Sequence, residues 1–322
     1  MARILVTGGA GFIGSHLTER LLADNHHVIV FDDFSSGDPD NIRHLFGQPG
    51  FKLYRGDVRD TKAVSQAMHD VDFVFHLAAQ IHVDKSIVDP RETIDVNVNG
   101  TLSVLDAAMQ NDAKRIIVAS SSEVYGTAVG QTIDEEHPLN ASSPYAASKA
   151  AADRLAFAHW KTYGMDVVIM RVFNTFGPRQ RSTGYGGVIS IFMERVSSGL
   201  PPVIYGDGLQ TRDYLYIEDT VEAYMLTLDE SKNIAGWPIN IGTGHENSIL
   251  EIAKKITKLM GRPDLKPIHI ESRPGEVRRL VANTKMAQDK LGFRAKFDFD
   301  SGLAEYAKWF PSHGFRQWTK SG

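Results

Sequence analysis

Tyr145 and Lys149 stand four residues apart in Ser143-Pro144-Tyr145-Ala146-Ala147-Ser148-Lys149. Pro144 suits the first position of a helix, which would set both side chains on one face of its opening turns. An ammonium beside a phenol favours phenolate and is expected to lower the phenol's pKa towards neutral. A phenolate of that kind can remove a hydroxyl proton while hydride leaves the adjacent carbon. Upstream, Ser120-Ser121-Ser122-Glu123-Val124-Tyr125-Gly126 follows an apolar run, which places hydroxyls at the end of a strand. A hydroxyl there can hydrogen-bond an oxygen that is becoming a carbonyl.

Hydride chemistry needs an acceptor, and the first thirty-three residues point to one. Arg3-Ile4-Leu5-Val6-Thr7 reads as a strand, and Gly8-Gly9-Ala10-Gly11-Phe12-Ile13-Gly14 follows at once. Phe12, Leu17, Leu21 and Leu22 then recur at helical spacing, and Val28-Ile29-Val30-Phe31 forms a second strand that ends in Asp32-Asp33. Glycines in this order allow a tight turn, close approach of a pyrophosphate and close packing of helix on strand. The pyrophosphate would rest on the free N–H groups of the helix start, at Gly11, Phe12, Ile13 and Gly14. Asp32 is spaced to accept hydrogen bonds from an adenosine ribose diol, with Asp33 beside it as a further contact. A carboxylate there repels a 2′-phosphate, so the cofactor expected is NAD rather than NADP.

Strand-like runs continue at 51–54, 71–77, 114–119 and 165–171, alternating with helical stretches near 61–69, 92–111 and 145–163. That alternation predicts an α/β fold, a Rossmann-like doubly wound parallel sheet, with ligands beyond the carboxyl ends of the strands. After Asn174 the pattern changes. Gly, Pro and polar residues gather at 177–187 as a loop over a site, then come a helix near 187–199 and a smaller mixed α/β C-terminal lobe. The expected division is a cofactor domain of 1–174 plus about 215–243, and a substrate lobe of about 175–214 and 244–322.

Composition narrows the partners. The chain has 322 residues, no cysteine and a formal net charge of −4. Disulfides, thiolate nucleophiles and cysteine-ligated metals are excluded. No basic block longer than two residues invites nucleic acid. No apolar run approaches the ~20 residues of a membrane span. The residues before the first strand are too short for a signal segment, so a soluble cytoplasmic enzyme is expected. The 12 histidines show no metal-ligand spacing, and no metal is expected.

The spacing Thr-Gly-Gly-x-Gly-x-x-Gly resembles the extended short-chain dehydrogenase/reductase superfamily. Further segments are similar to its nucleotide-sugar epimerase/dehydratase branch: Asp57-Val58, His76-Leu77-Ala78-Ala79, Asn97-Val98-Asn99-Gly100-Thr101, Arg171-Val172-Phe173-Asn174, Tyr205-Gly206-Asp207-Gly208 with Arg212-Asp213, and Arg273-Pro274-Gly275-Glu276. The resemblance covers most of the chain. It implies that Asp57 and Val58 flank the adenine, that Leu77, Ala78, Ala79 and Asn97 serve the cofactor, and that Lys149 also holds the nicotinamide ribose. It further implies that Ser121 and Tyr145 grip a sugar O4, that Asn174, Arg212 and Arg273 meet a nucleotide diphosphate, and that the chain forms a homodimer through helices at about 92–111 and 145–163.

Within that branch the first step is shared and the second divides it. A 4-epimerase returns hydride to the other face of a 4-ketone and needs no further base. A 4,6-dehydratase must take the C5 proton and expel the C6 hydroxyl, which requires a carboxylate. Glu123, two residues after Ser121, looks like that base, and Ser122 stands where some dehydratases carry an aspartate. The run Ala78-Ala79-Gln80-Ile81-His82-Val83-Asp84-Lys85-Ser86 is similar to one in hexose 4,6-dehydratases, in which His82 is either a polar residue facing the sugar or a packed loop histidine. Dehydratase is therefore expected first, then 4-epimerase, then uronate decarboxylase, with a non-catalytic NAD-binding regulator as the reading from another class.

Overall fold

The computed structural model describes residues 1–182, 186–272 and 275–313, with side chains up to residue 310. In chain order its strands and α-helices are β1 (Arg3–Thr7), α1 (Phe12–Ala23), β2 (His27–Asp32), β3 (Phe51–Arg55), α2 (Thr61–Ala67), β4 (Phe73–His76), α3 (Val83–Val88), α4 (Pro90–Ile94), α5 (Gly100–Gln110), β5 (Arg115–Ala119), α6 (Pro144–Tyr163), β6 (Val167–Val172), β7 (Asn174–Phe176), α7 (Val188–Ser197), β8 (Val203–Tyr205), β9 (Thr211–Tyr216), α8 (Ile217–Met225), β10 (Pro238–Ile241), β11 (Glu246–Ser248), α9 (Ile249–Leu259), β12 (Ile268–Ile270), β13 (Arg279–Leu280) and α10 (Phe299–His313).

Seven of these strands form one sheet in the order β10-β6-β5-β4-β1-β2-β3. Every pairing in it is parallel. Its inner strands are mostly apolar because both faces are covered, while the edge strand β3 keeps Lys52 and Arg55 exposed. Ile4, Val6, Val28, Phe73, Phe75, Ile117, Val168 and Met170 point to one core, which includes Leu17 of α1 and Tyr224 of α8. Their neighbours Leu5, Ile29, Val74, Ile116, Val118, Val167 and Ile169 point to the other, against Val64 of α2 and Val104 and Leu105 of α5. This is the two-residue alternation of a pleated strand, with an oily partner on each side. Strand order reverses between β1 and β4, and that switch opens the crevice in which such sheets bind ligands.

The remaining strands make smaller sheets. β9 lies between antiparallel β11 and parallel β13, and it also pairs with β7; β8 pairs with β12. Residue 174 begins β7 two positions after β6 ends, so the chain steps directly from the large sheet onto β9.

One helix departs from expectation. The stretch predicted as a single helix at 92–111 is α4, a π-helical turn at Asp95–Asn99, and α5. The extra residue turns Asn97 inward, where its Oδ1 accepts from Gln80 N at 2.7 Å and its Nδ2 donates to Gln80 O at 3.0 Å and Ser148 Oγ at 2.9 Å. Single-turn π-bulges of this kind often mark functional positions.

Gly14 is held to its residue type by main-chain proximity. A Cβ there would sit 2.2 Å from the Gly8 carbonyl oxygen. Gly14→Ala must push α1 off the Gly8-Gly9 turn, and a loss of about 1–3 kcal/mol is expected in urea denaturation. Wild-type stability in that variant would show that the turn is not closely packed.

Candidate active site

At the end of β1 the chain turns through Gly8, which takes φ +70°. Its N–H donates to Phe31 O at 2.8 Å, and Gly11 N–H donates to Gly8 O at 3.0 Å. A Cβ on Gly8 would meet Ala78 N at 2.7 Å, so the turn lies flat against the Leu77-Ala78-Ala79 segment beyond β4. Gly11 caps α1 without a side chain, and the first intrahelical bond is Ser15 N to Gly11 O. The N–H groups of Phe12, Ile13 and Gly14 therefore precede the helix ladder and are available to an anion. Asp32 is 6% exposed and accepts from Ala10 N at 2.9 Å and Phe34 N at 2.8 Å. Burial pushes its carboxyl up, against those two hydrogen bonds. Asp33 is exposed, with Oδ1 on Ser35. Asp57 accepts three guanidinium bonds from Arg59, which hold its carboxyl below the usual range, and Val58 beside it is buried. Free N–H groups, an acid at the second strand's end and glycines that leave no Cβ in the way fit an adenine dinucleotide.

α6 starts as Pro144 predicts. Ser143 Oγ accepts from Ala146 N at 3.1 Å, and Tyr145 N donates to Ser86 Oγ of α3 at 3.0 Å. Ser148 donates to Tyr145 O at 2.7 Å and accepts from Asn97, so the π-turn braces the start of α6. The Lys149 ammonium donates to Ala119 O at the end of β5. Burial lowers its pKa to about 8, opposed by Asp153. The Tyr145 phenol is pushed up to about 12 by burial; a hydrogen bond with Ser121 lowers it and the Glu123 carboxylate raises it. This differs from the sequence expectation. Lys149 is committed to a carbonyl, the phenol's partner is Ser121, and desolvation outweighs what the protein's own charges supply.

Beyond β5 the chain makes a 3-10 turn, Ser122–Tyr125, capped by Ser121, whose Oγ accepts from Glu123 N at 3.2 Å. Gly126 closes it at φ +66°, where a Cβ would meet Asn140 O at 2.3 Å. The turn sends Glu123 inward. Burial raises its carboxyl; the Arg212 cation lowers it and Glu276 raises it. Arg212 donates to Val277 O at 2.7 Å, Thr211 O at 3.0 Å and the Glu276 carboxylate at 3.0 Å. Asn174, first in β7, has a buried Oδ1 with no partner.

One cavity of about 640 Å³ joins these groups. It is lined by the glycine turn, Asp32, Asp33, Asp57, Val58, Leu77 to Ala79, His82, Ser121, Ser122, Glu123, Tyr145, Lys149, Asn174 and Arg212. Asn97 is not at its wall; it holds the Gln80 backbone from behind. Arg273 lies outside the described residues. The cavity also includes residues that the sequence reading did not assign. Arg179 sits at φ +68° and reaches back to Ser15 at 3.2 Å and Glu19 at 2.6 Å on α1. Gln210 donates to Tyr205 O at 3.1 Å, and Glu276 holds Arg212. The polar run at 177–187 signalled a loop over the site, but nothing in it singled out Arg179.

A doubly wound sheet whose glycine turn faces a Tyr-x-x-x-Lys helix across one cavity is the architecture of an extended short-chain dehydrogenase/reductase. The family model for GDP-mannose 4,6 dehydratase matches residues 5–306, and the chain belongs to this nucleotide-sugar epimerase/dehydratase family. It is 36% identical to a putative UDP-glucose 4-epimerase of Methanocaldococcus jannaschii, over 96% of this chain and 99% of that one. It is equally 36% identical to a dTDP-glucose 4,6-dehydratase of an Actinoplanes species, over 98% of this chain and 99% of the relative. The structure of the dTDP-glucose 4,6-dehydratase DesIV from Streptomyces venezuelae, solved with NAD, superposes with a TM-score of 0.91 at 33% identity and covers 97% of both chains. Among the described residues no helix is long and apolar enough to cross a membrane, and no cluster of metal-ligating side chains occurs.

The buried Glu123 carboxyl gives a stability prediction with a definite sign. Its folded pKa lies above the unfolded value of 4.5, so below that value it is neutral in both states and costs nothing. As pH rises through the folded pKa, a charge must be kept buried and stability is lost. Glu123→Gln should therefore melt higher than wild type at pH 7.5, and the gap should close by pH 4. A variant that melts lower at pH 7.5 would show the carboxylate to be a structural partner instead.

Proposed function

We propose that the protein is an NAD-dependent nucleotide-sugar 4,6-dehydratase. The observation that carries this reading is a buried carboxyl, Glu123, raised in pKa and sharing a cavity with the hydrogen-bonded Ser121–Tyr145 pair. A 4-epimerase has no use for a proton-transferring carboxyl at that place, whereas water loss from C5 and C6 requires one.

The residues divide the task as follows. The N–H groups of Phe12, Ile13 and Gly14 hold the cofactor diphosphate, Asp32 the adenosine ribose with Asp33 beside it, and Asp57 and Val58 the adenine. Leu77 to Ala79 line the path to Lys149, which holds the second ribose. NAD⁺ bound along this path supplies a positively charged hydride acceptor for the sugar C4 and, once reduced, the donor for C6. Arg212, Arg273 and Asn174 bind the nucleotide diphosphate of the substrate, for which guanidinium groups are the natural partners. Ser121 holds O4 while Tyr145 takes its proton. The resulting ketone acidifies C5, and Glu123 removes that proton and delivers it to the departing C6 hydroxyl. A carboxyl whose burial has raised its pKa is suited to both halves of that transfer. Ser122 and His82 lie on the same wall. The cofactor half is 1–174 with about 215–243, the sugar-nucleotide half about 175–214 with 244–322, and two chains pair through α4–α5 and α6.

Mass spectrometry of a pool of UDP-, TDP-, GDP- and CDP-hexoses, their N-acetyl forms and UDP-glucuronate tests this. Loss of one water from one member is expected. An unchanged mass with a new chromatographic peak would make the enzyme a 4-epimerase, loss of carbon dioxide a decarboxylase, and no change at all a regulator.

Variants divide the steps. Tyr145→Phe is expected to slow every step, by about 10²–10⁴-fold. Glu123→Gln should slow water release by about 10²-fold or more while still reducing the cofactor, seen as nicotinamide absorbance. If Glu123→Gln loses both signals together, Glu123 acts at C4 and the dehydratase reading fails.

A further inference from the structure

Behind the cavity lies a buried polar network to which the proposed reaction assigns no role. Asp153 on α6 is 0% exposed and Arg171 on β6 is 1% exposed. Arg171 Nε donates to Asp153 Oδ2 at 2.8 Å and Nη2 to Oδ1 at 3.1 Å. Ser120 Oγ donates to Oδ2 at 3.0 Å, and Arg154 donates to Oδ1 at 2.9 Å, so both oxygens are shared. On its far side Arg171 Nη1 donates to the Tyr125 hydroxyl at 2.8 Å and to Glu135 O at 3.2 Å. The Tyr125 hydroxyl donates on to Asn240 Oδ1 at 2.7 Å, and Asn240 Nδ2 donates to Ile133 O at 2.9 Å.

Two features give this network a place in the chemistry. Its two attachments, Ser120 and Tyr125, bracket the segment that carries Ser121, Ser122 and Glu123. Asp153 also stands one helical turn beyond Lys149, on the same face of α6. A buried ion pair is seldom the most stabilising filling for a core, because its desolvation offsets the attraction. A hydrophobic pair could close this space; it could not fix a serine hydroxyl and a tyrosine hydroxyl at once.

We propose that Asp153 is a positioning residue: with Arg171 it clamps both ends of the Ser121–Glu123 turn and supplies the carboxylate that keeps Lys149 charged. The clamp rests on the reading of Ser121, Glu123, Tyr145 and Lys149 as the reacting groups. Lys149 feels the Asp153 charge along its own helix, donates to the Ala119 carbonyl on β5, and acts in turn on His76 of β4. His76 is buried with its ring nitrogens on Thr7 and Thr101, and its pKa is lowered to about 3, so it stays neutral. Asp153 is thus the anion in this set whose charge, one turn along α6, favours the ammonium.

The test uses the full chain and two readouts. Nitrogen NMR of the lysine side chains follows the Lys149 titration without any sugar, and steady-state kinetics gives kcat and KM on the sugar that the wild type accepts. Wild-type Lys149 is expected to titrate near 8. In Asp153→Asn the midpoint should fall, and the alkaline limb of kcat should fall with it by the same amount. Asp153→Glu, which restores a carboxylate, should bring the midpoint back.

Removing the counter-charge of Arg171 can unfold the chain, so Ser120→Ala is the second variant. It leaves the ion pair whole, and it should fold as wild type, keep the Lys149 midpoint, and lower kcat about tenfold with KM within about twofold. An unmoved midpoint in folded Asp153→Asn, or wild-type kcat in Ser120→Ala, overturns the proposal. Because the NMR titration needs no substrate, failure of every sugar to react would count against the dehydratase reading, while the midpoint still judges the clamp.

Discussion

Removal from water governs the chemistry of this cavity. Burial pushes the Tyr145 phenol to about 12, draws the Lys149 ammonium down to about 8 and raises the Glu123 carboxyl, so all three move towards their neutral forms. Each shift has the same leading cause, the cost of keeping a charge in a cavity walled by protein rather than in open water. The polypeptide answers with few compensations: a serine hydroxyl on the phenol, Asp153 near the ammonium, and Arg212 across from the carboxyl. A site of this kind is poised for proton transfer and depends on its ligands for balancing charge. A cationic cofactor ring bound beside Tyr145 would favour phenolate in a way that Lys149, tied to Ala119 O, does not by itself.

The fold imposes that burial through where the strands end. β1, β4 and β5 deliver the glycine turn, the Leu77–Ala79 segment and the Ser120–Tyr125 turn to one edge of the sheet, and α6 crosses them carrying Tyr145 and Lys149. The smaller sheets bring β9 with Arg212, and β7 pairs with it at Asn174↔Tyr214. Arg179 ties the loop after β7 back to α1 through Ser15 and Glu19, so the cavity wall is stitched across 160 residues of chain. Closeness at Gly8 and Gly14 keeps the floor thin; bulk at either would separate the N–H groups from what they are placed to hold.

What the sequence disclosed, and what it did not, follows from the range of each interaction. The parallel sheet was legible because apolar runs and glycines report on their immediate neighbours, and Pro144 announced α6 to the residue. The π-turn at Asp95–Asn99 was not, since an added residue hardly disturbs the apolar spacing, and Asn97 finds its partners at Gln80 and Ser148, distant in sequence. Arg171 was visible as part of a motif yet without a role, because its partners Asp153 and Tyr125 lie 18 and 46 positions away. The fall in the Tyr145 pKa was misjudged for a related reason. Helical spacing tells that two side chains share a face, but the Ala119 carbonyl that claims the ammonium belongs to another strand.

The relatives are epimerases and dehydratases at the same level of identity, so ancestry does not choose between the two reactions, and the choice must come from local charge. After C4 is oxidised, the ketone can either accept hydride again or lose the proton at C5. The first outcome needs only freedom for the sugar to present its other face. The second needs a base that is uncharged enough to sit beside a buried sugar and basic enough to take a carbon-bound proton. Glu123 has the features of such a base: burial and the Glu276 carboxylate raise its basicity, while the Arg212 cation opposes them and keeps ionisation within reach. A raised carboxyl in this turn therefore matches the demands of water loss more closely than those of a simple return of hydride, which is the ground of the proposed reading.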